Sequence, residues 1–451
     1  MPPRLGNFQQ LSKICTRCAL RQNRTIKRNY HAKVPNRTFI SLEGVDALPF
    51  LQGLVTANLT KSAPEVRYNG GLALSKAIYT AFLNAHGRIL HDVLISPGFS
   101  LTKEDGKPSD ESFLIEVDSN AAKSLFKHLK KHKLRSKFKM RLFEPEELDV
   151  YSHWAGPGEA ASDASKEFGF NQNESVLCAE DPRPGLLNRI VFRSGGITSK
   201  ILTSHPHIKE PRDYTLYRML NGLAEGQNEI LTESSLPQES NIDFCNGIDF
   251  RKGCYLGQEL TIRTHHTGVV RKRILPVIFS DIPTVDHSGD DTTSGPSNTD
   301  TSLIPGTPAW WSRYSSFSLP LPGSDISKLN LSPSHSGKGP SKGRSAGKFL
   351  AGIGNVGLAL CRLEMLTDIR LTDTVTPFDP EQRWKISWEA QDGGGKIGQL
   401  EVKAQVPEWM RVRLERPHEE EKVAEDEEDD EYEDEEETEE EEEVRRNEQH
   451  G

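Results

Sequence analysis

Two apolar runs face each other across a four-residue turn, and they constrain this chain more than any other feature. Ile78-Tyr79-Thr80-Ala81-Phe82-Leu83 and Ile89-Leu90-His91-Asp92-Val93-Leu94-Ile95 flank Asn84-Ala85-His86-Gly87. Short runs of this composition around an Asn/Gly turn read as a β-hairpin. A lone hairpin is marginal in water, so it demands further strands or a covering helix. Thr38–Leu42 and Phe113–Val117 supply strand patterns. Asp46 reads as the cap of a helix through Phe50–Val55. A basic helix follows through Leu125, Phe126, Leu129 and Leu134, and a short one over 214–223 sets Tyr214, Tyr217 and Leu220 on one side. The mixture predicts an α+β fold.

The two ends differ from this body. No acidic residue precedes Glu43, whereas residues 1–30 contain seven Lys or Arg. Arg-rich and acid-free is the composition of a mitochondrial transit peptide, and Arg28-Asn29-Tyr30-His31 suggests cleavage after Tyr30. Residues 419–443 hold 20 acidic residues and one lysine, so 418–451 is expected to be a disordered, solvated acidic tail. These ends account for the net charge of −10. The body between them is near neutral, which gives no sign of a nucleic-acid surface. No apolar run reaches the ~18 residues of a membrane span, so the chain reads as soluble. Residues 280–346 are rich in Ser, Gly, Pro, Thr and Asp and are expected to form a disordered insertion, with Trp310-Trp311 docking locally at most. Order resumes at Phe349 and closes with a strand-rich unit ending near Leu414.

Six cysteines are too few for a disulfide scaffold at this length. Cys15-x-x-Cys18 lies inside the basic leader, and no second pair partners it. The informative cysteine is Cys254, in Lys252-Gly253-Cys254-Tyr255-Leu256-Gly257-Gln258-Glu259. Glycines on either side permit unusual backbone angles and close approach. Arg251, Lys252 and Arg263 are the kind of neighbours that favour a thiolate. Gln258 and Glu259 add an amide and a carboxylate, and His265-His266 are weak candidates for metal ligation with Cys254. A lone cysteine beside basic residues is more commonly a small buried side chain. A His pair is more commonly structural. The residues alone therefore point to a ligand-contacting loop and leave the ligand open.

The eight-residue motif resembles the signature of the folate-binding YgfZ-type proteins, relatives of the glycine-cleavage T-protein, an aminomethyltransferase. Phe50–Thr56, Leu83–Asp92, Asp181-Pro182-Arg183, Glu225-Gly226, Leu236-Pro237-Gln238-Glu239 and Gly357-Leu358-Ala359 are similar to other family segments. With the basic leader, the chain resembles the mitochondrial branch that supports iron–sulfur cluster assembly. The resemblance implies a T-protein-like fold: two α/β modules and a C-terminal β-barrel around a central channel. The units expected are 31–150, 151–279 with the motif, and 347–417 for the rest of the barrel. It implies tetrahydrofolate or a derivative as cofactor, held by Lys252, Gly253, Tyr255, Gly257, Gln258, Glu259, Arg263 and Asp92, with Cys254 as the functional residue. It also implies a matrix location, A-type iron–sulfur scaffold proteins and client four-iron enzymes (aconitase-type and radical-SAM) as partners, and an iron–sulfur cluster bound only transiently.

Two positions depart from the parent enzyme. T-proteins carry an Asp-Asp pair in the hairpin, where this chain has His91-Asp92. They place a Glu after an Arg-Leu pair, where this chain has Leu220 after Arg218-Met219. Losing both carboxylates weakens acid–base chemistry and pterin recognition. The expectation is an assembly factor without T-protein activity, with a folate-dependent one-carbon transferase as the alternative.

Overall fold

The computed structural model describes residues 29–60, 67–69, 72–98, 112–155, 175–195, 208–282, 318–329, 344–371, 378–389 and 397–415. The leader up to residue 28, Cys15 and Cys18, Trp310-Trp311 and the acidic tail lie outside them.

The hairpin forms as expected, from Ile78–Leu83 and Ile89–Pro97. Asn84 organises its turn: the side-chain Oδ1 accepts from the His86 and Arg88 amides, each at 3.0 Å. The hairpin starts a five-stranded antiparallel sheet that continues through Ser112–Asp118, Arg37–Glu43 and Lys139–Leu142. Alternation sorts its side chains. Ile78, Phe82, Val93 and Ile95 pack with Leu125 and Leu129 of helix Ala122–Lys133. Tyr79, Ala81, Leu83 and Leu94 face the opposite way, into a core shared with a second sheet, helix Pro211–Leu220 and the outside of the barrel. Leu134 does not extend the basic helix; it sits just beyond it at φ 44° and is exposed. Asp46 precedes helix Ala47–Gln52 but makes no side-chain cap.

The second sheet has seven strands in the order Ile208–Lys209, Asn29–Lys33, Leu148–Ala155, Leu186–Arg193, Ser175–Glu180, Leu72–Lys76 and Arg67–Asn69. Its membership corrects the expected division at residue 150, which falls inside a strand. Segments from both sides of that point interleave. Leu72–Lys76 belongs to this sheet and Ile78–Leu83 to the other, with only Ala77 between them; its amide bonds Glu180 O at 2.8 Å. Tyr30 lies in the edge-proximal strand Asn29–Lys33, opposite Trp154, so cleavage after it would leave His31–Lys33 to pair.

A closed six-stranded barrel completes the fold: Lys272–Ser280, Val356–Arg362, Gly347–Ile353, Asp325–Lys328, Trp384–Glu389 and Ile397–Ala404. Two strands precede residue 347, and one of them, Asp325–Lys328, lies within 280–346, which corrects the expectation of disorder for the described residues 318–329. Its reason is local: Ile326 is fully buried among Phe279, Phe349 and Ile386, and the backbone ladders to Gly347 and Ile386. One inward side chain suffices when two ladders satisfy the peptide groups. Helix Glu408–Glu415 then packs back, its Trp409 indole donating to Asn221 O at 3.0 Å. Among the described residues no helix is long and apolar enough to cross a membrane.

Candidate functional site

The motif loop is held by its own neighbours before it offers anything to a ligand. Asp249 Oδ1 accepts from the Arg251 and Lys252 amides at 2.8 and 2.9 Å. Lys252 then turns inward, and its Nζ donates to Gln52 O, Val55 O and Ala57 O, each at 2.8 Å. These carbonyls lie at and just beyond the end of helix Ala47–Gln52, where orphan acceptors and the negative end of the helix dipole welcome a cation. Burial pulls the Lys252 ammonium down to about 8. Leu256 N reaches Gly53 O at 3.1 Å, so the loop lies along the segment after that helix. Tyr255 is buried, and its amide donates to Gln258 Oε1 at 3.0 Å.

Gly257 explains why the motif and the hairpin turn occur together. Its φ is +81°, and a Cβ there would sit 2.2 Å from Asn84 O. Only glycine fits both demands. Gly87, at φ +75°, answers from the other side: a Cβ would meet Leu260 Cβ at 2.9 Å. The turn is therefore the seat of the N-terminus of helix Gln258–Thr267.

Against this braced base, Cys254 projects. It is exposed, whereas the other described cysteines, Cys178, Cys245 and Cys361, are buried. Burial pushes the Cys245 thiol up to about 12, which removes it as a nucleophile at neutral pH. Arg251, Gly253, Glu259 and Arg263 are exposed around Cys254 in sequence, and a Cβ on Gly253 would touch nothing. His265 stacks on Phe250 at 3.7 Å between ring centroids, and His266 is exposed. Among the described residues no three His, Cys, Asp or Glu side chains are grouped to hold a metal ion.

Asp92 belongs elsewhere. His91 and Asp92 emerge on opposite faces of their strand, as a period of two dictates. His91 is buried on the side of His128, and burial pulls it down to about 4. Asp92 accepts from Gly226 N at 3.1 Å and lies 3.9 Å from Arg37. It joins a buried ionic cluster between the two sheets that the family segments build but that sequence reasoning did not assemble. Glu225 Oε2 is the hub, bonded to Arg183 at 2.7 Å, Arg189 at 2.8 Å and the Tyr214 hydroxyl at 2.7 Å. Arg183 also grips Asp181 with two nitrogens, Arg37 pairs Glu116, and Arg218 pairs Glu229. Burial alone would raise the Glu225 carboxyl; Arg189, Arg37, Arg183 and Arg218 together hold it well below the usual range. For Asp92 burial wins and its carboxyl is raised. Four arginines serve five carboxylates, each of which has a guanidinium within ion-pair distance, the condition under which buried ions are tolerated.

Across 399 residues, 85% of this chain and 82% of the relative, the sequence is 43% identical to the mitochondrial iron–sulfur cluster assembly factor IBA57 homologue of Aspergillus fumigatus. The chain belongs to the IBA57 family. The IBA57 homologue of Coccidioides immitis is 38% identical over 91% of this chain and 93% of its own length. That of Neurospora crassa is 40% identical over 87% and 84%. The family model for the C-terminal β-barrel domain of CAF17 matches residues 331–412. It takes in four of the six barrel strands and omits Lys272–Ser280 and Asp325–Lys328. A crystal structure of the glycine cleavage system aminomethyltransferase T from Bartonella henselae superimposes with a TM-score of 0.49, at 14% identity over 84% of this chain and 86% of that one.

In this IBA57-family chain the predicted site residues thus divide. Lys252, Tyr255, Gly257 and Gln258 build the platform. Cys254, Gly253, Glu259 and Arg263 are accessible. Asp92 shares no bond with the motif. Asp92 and Lys252 spend their polar atoms on the protein's own groups, and Gln258 Oε1 accepts from the Tyr255 amide, which leaves Glu259 and Arg263 as the exposed polar side chains of the set.

Proposed function

We propose that this protein is a mitochondrial iron–sulfur cluster assembly factor that works through Cys254. The carrying observation is the contrast within one motif: four residues fix the loop, and the thiol between them is left accessible. Identity to IBA57 homologues along most of the chain supports the pathway, and their mitochondrial naming and the basic leader support a matrix location. A thiol held this way is suited to meet a cluster, as cargo, at the surface of an A-type scaffold protein. Four-iron enzymes of the aconitase and radical-SAM types are the proposed clients. Folate is not needed for any step of this reading. A one-carbon transferase gains no support from His91, which is buried with its face turned away from Asp92.

The test is replacement in cells. With Cys254→Ala at wild-type abundance, aconitase activity and protein lipoylation should fall while two-iron proteins keep their clusters. Normal aconitase and lipoylation would overturn the proposal.

A further inference from the structure

A second site lies on the far side of helix Gln258–Thr267. A cavity of about 730 Å³ opens between the segment around residues 243–250, the end of that helix, the residues following the barrel strand Val356–Arg362, and helix Glu408–Glu415. Its volume is that of a small organic molecule rather than of a few waters. The Phe250–His265 stack, with rings 10° from parallel, forms part of its wall, and Val269 and Leu371 add apolar surface.

The charges around it do not cancel once their bonds are assigned. Asp243 is taken by Arg273 through two bonds of 2.9 and 2.8 Å. Asp368 and Glu415 are both taken by Arg411, at 2.9 and 3.0 Å. Two cavity-lining cations are left without a carboxylate. Arg413 donates only to the neutral amide oxygen of Asn246, at 3.3 Å or more, and Arg370 is exposed with no such partner among the described residues. Arg411 is shared by two carboxylates, so the four arginines exceed the three carboxylates by one charge, and an aromatic wall beside two guanidiniums that bond no carboxylate is complementary to a flat ring carrying a single anionic group.

We propose that this cavity is a binding site for a small aromatic carboxylate or phosphate, with its anion on Arg370 and Arg413 and its ring against Phe250 and His265. The site is separate from the exposed face of Cys254 and from the assembly reading, so its failure would leave that reading untouched. Both elements of its aromatic wall connect to the motif, however: Phe250 begins the loop that carries Cys254, and His265 lies on the helix that follows it.

The test is calorimetric titration of the full chain with phenyl phosphate and with benzoate. Saturable one-to-one binding of either is expected. Arg370→Ala and Arg413→Ala should each weaken it about tenfold, the scale of one charge-assisted contact. Phe250→Leu should weaken it while the variant keeps the wild-type unfolding midpoint. No binding up to millimolar concentrations, or binding unchanged in both arginine variants, would overturn the proposal. So would binding seen only after residues 416–451 are removed, because the cavity would then serve the chain's own acidic tail.

Discussion

Replacing Lys252 by Met should unlatch the motif loop while leaving its thiol in place. Methionine keeps most of the aliphatic stem and removes the ammonium that bonds Gln52 O, Val55 O and Ala57 O at 2.8 Å each. An intramolecular hydrogen bond contributes about 1 kcal/mol net, and one to a charged group about 1.5–3 kcal/mol. Three such bonds, offset by the relief of no longer half-burying an ammonium, give a loss of roughly 3 kcal/mol. Urea unfolding followed by tryptophan fluorescence measures it, with the slope unchanged so that the midpoint reports stability. Hydrogen exchange should speed up at residues 52–57 and 249–256 together, because one side chain ties the two segments. Cys254→Ala is the control: an exposed thiol should cost no more than about 0.5 kcal/mol. If Lys252→Met unfolds within 0.5 kcal/mol of wild type, or if exchange quickens in only one segment, the bracing argument is wrong.

Gly257→Ala forces a Cβ to 2.2 Å from Asn84 O at a φ of +81° and should cost about 2–4 kcal/mol in the same assay, whereas Ala at Gly253 should cost under 1. Glu225→Gln leaves Arg183 and Arg189 buried without their shared carboxylate and should destabilise by about 3–5 kcal/mol, read as a lower urea midpoint at neutral pH. His91 gives a pH dependence. Its folded pKa of about 4 lies below the ordinary value of 6.5, so the unfolded chain binds the extra proton as pH falls between those values, and stability falls with it. Against His91→Gln, wild type should lose about 2 kcal/mol between pH 7 and pH 5; parallel pH profiles for the two proteins would contradict the burial argument.

The hairpin was legible because alternation and an Asn/Gly turn are local signals, and both survive folding. Cys254 stood out from the other cysteines through its motif, and its exposure is what the structure adds. The rest of that motif was read as ligand-contacting because glycines, a lysine and a glutamine look alike whether they hold a ligand or a backbone. Only three dimensions show that Lys252 reaches carbonyls some two hundred positions earlier. The ionic cluster escaped for a related reason. Arg37, Arg183, Arg189 and Glu225 lie in separate segments and are of residue types that are mostly exposed, so their burial is explained only once all of them meet. The strand Asp325–Lys328 has one buried apolar residue, Ile326, in a polar stretch, too little for any periodicity to register. The switch of sheets at Ala77 has no local signal at all, since both flanking segments are good strands.

In the proposed function Cys254 is the group that meets the cluster, while its neighbours only hold it. Anaerobic reconstitution of the full chain with an A-type scaffold protein, followed by Mössbauer spectroscopy, tests that directly. Wild type should alter the iron signature of the scaffold-bound cluster, and Cys254→Ala, folded and equally stable, should leave the scaffold's own signature unchanged. The same altered signature with Cys254→Ala as with wild type would contradict the central claim.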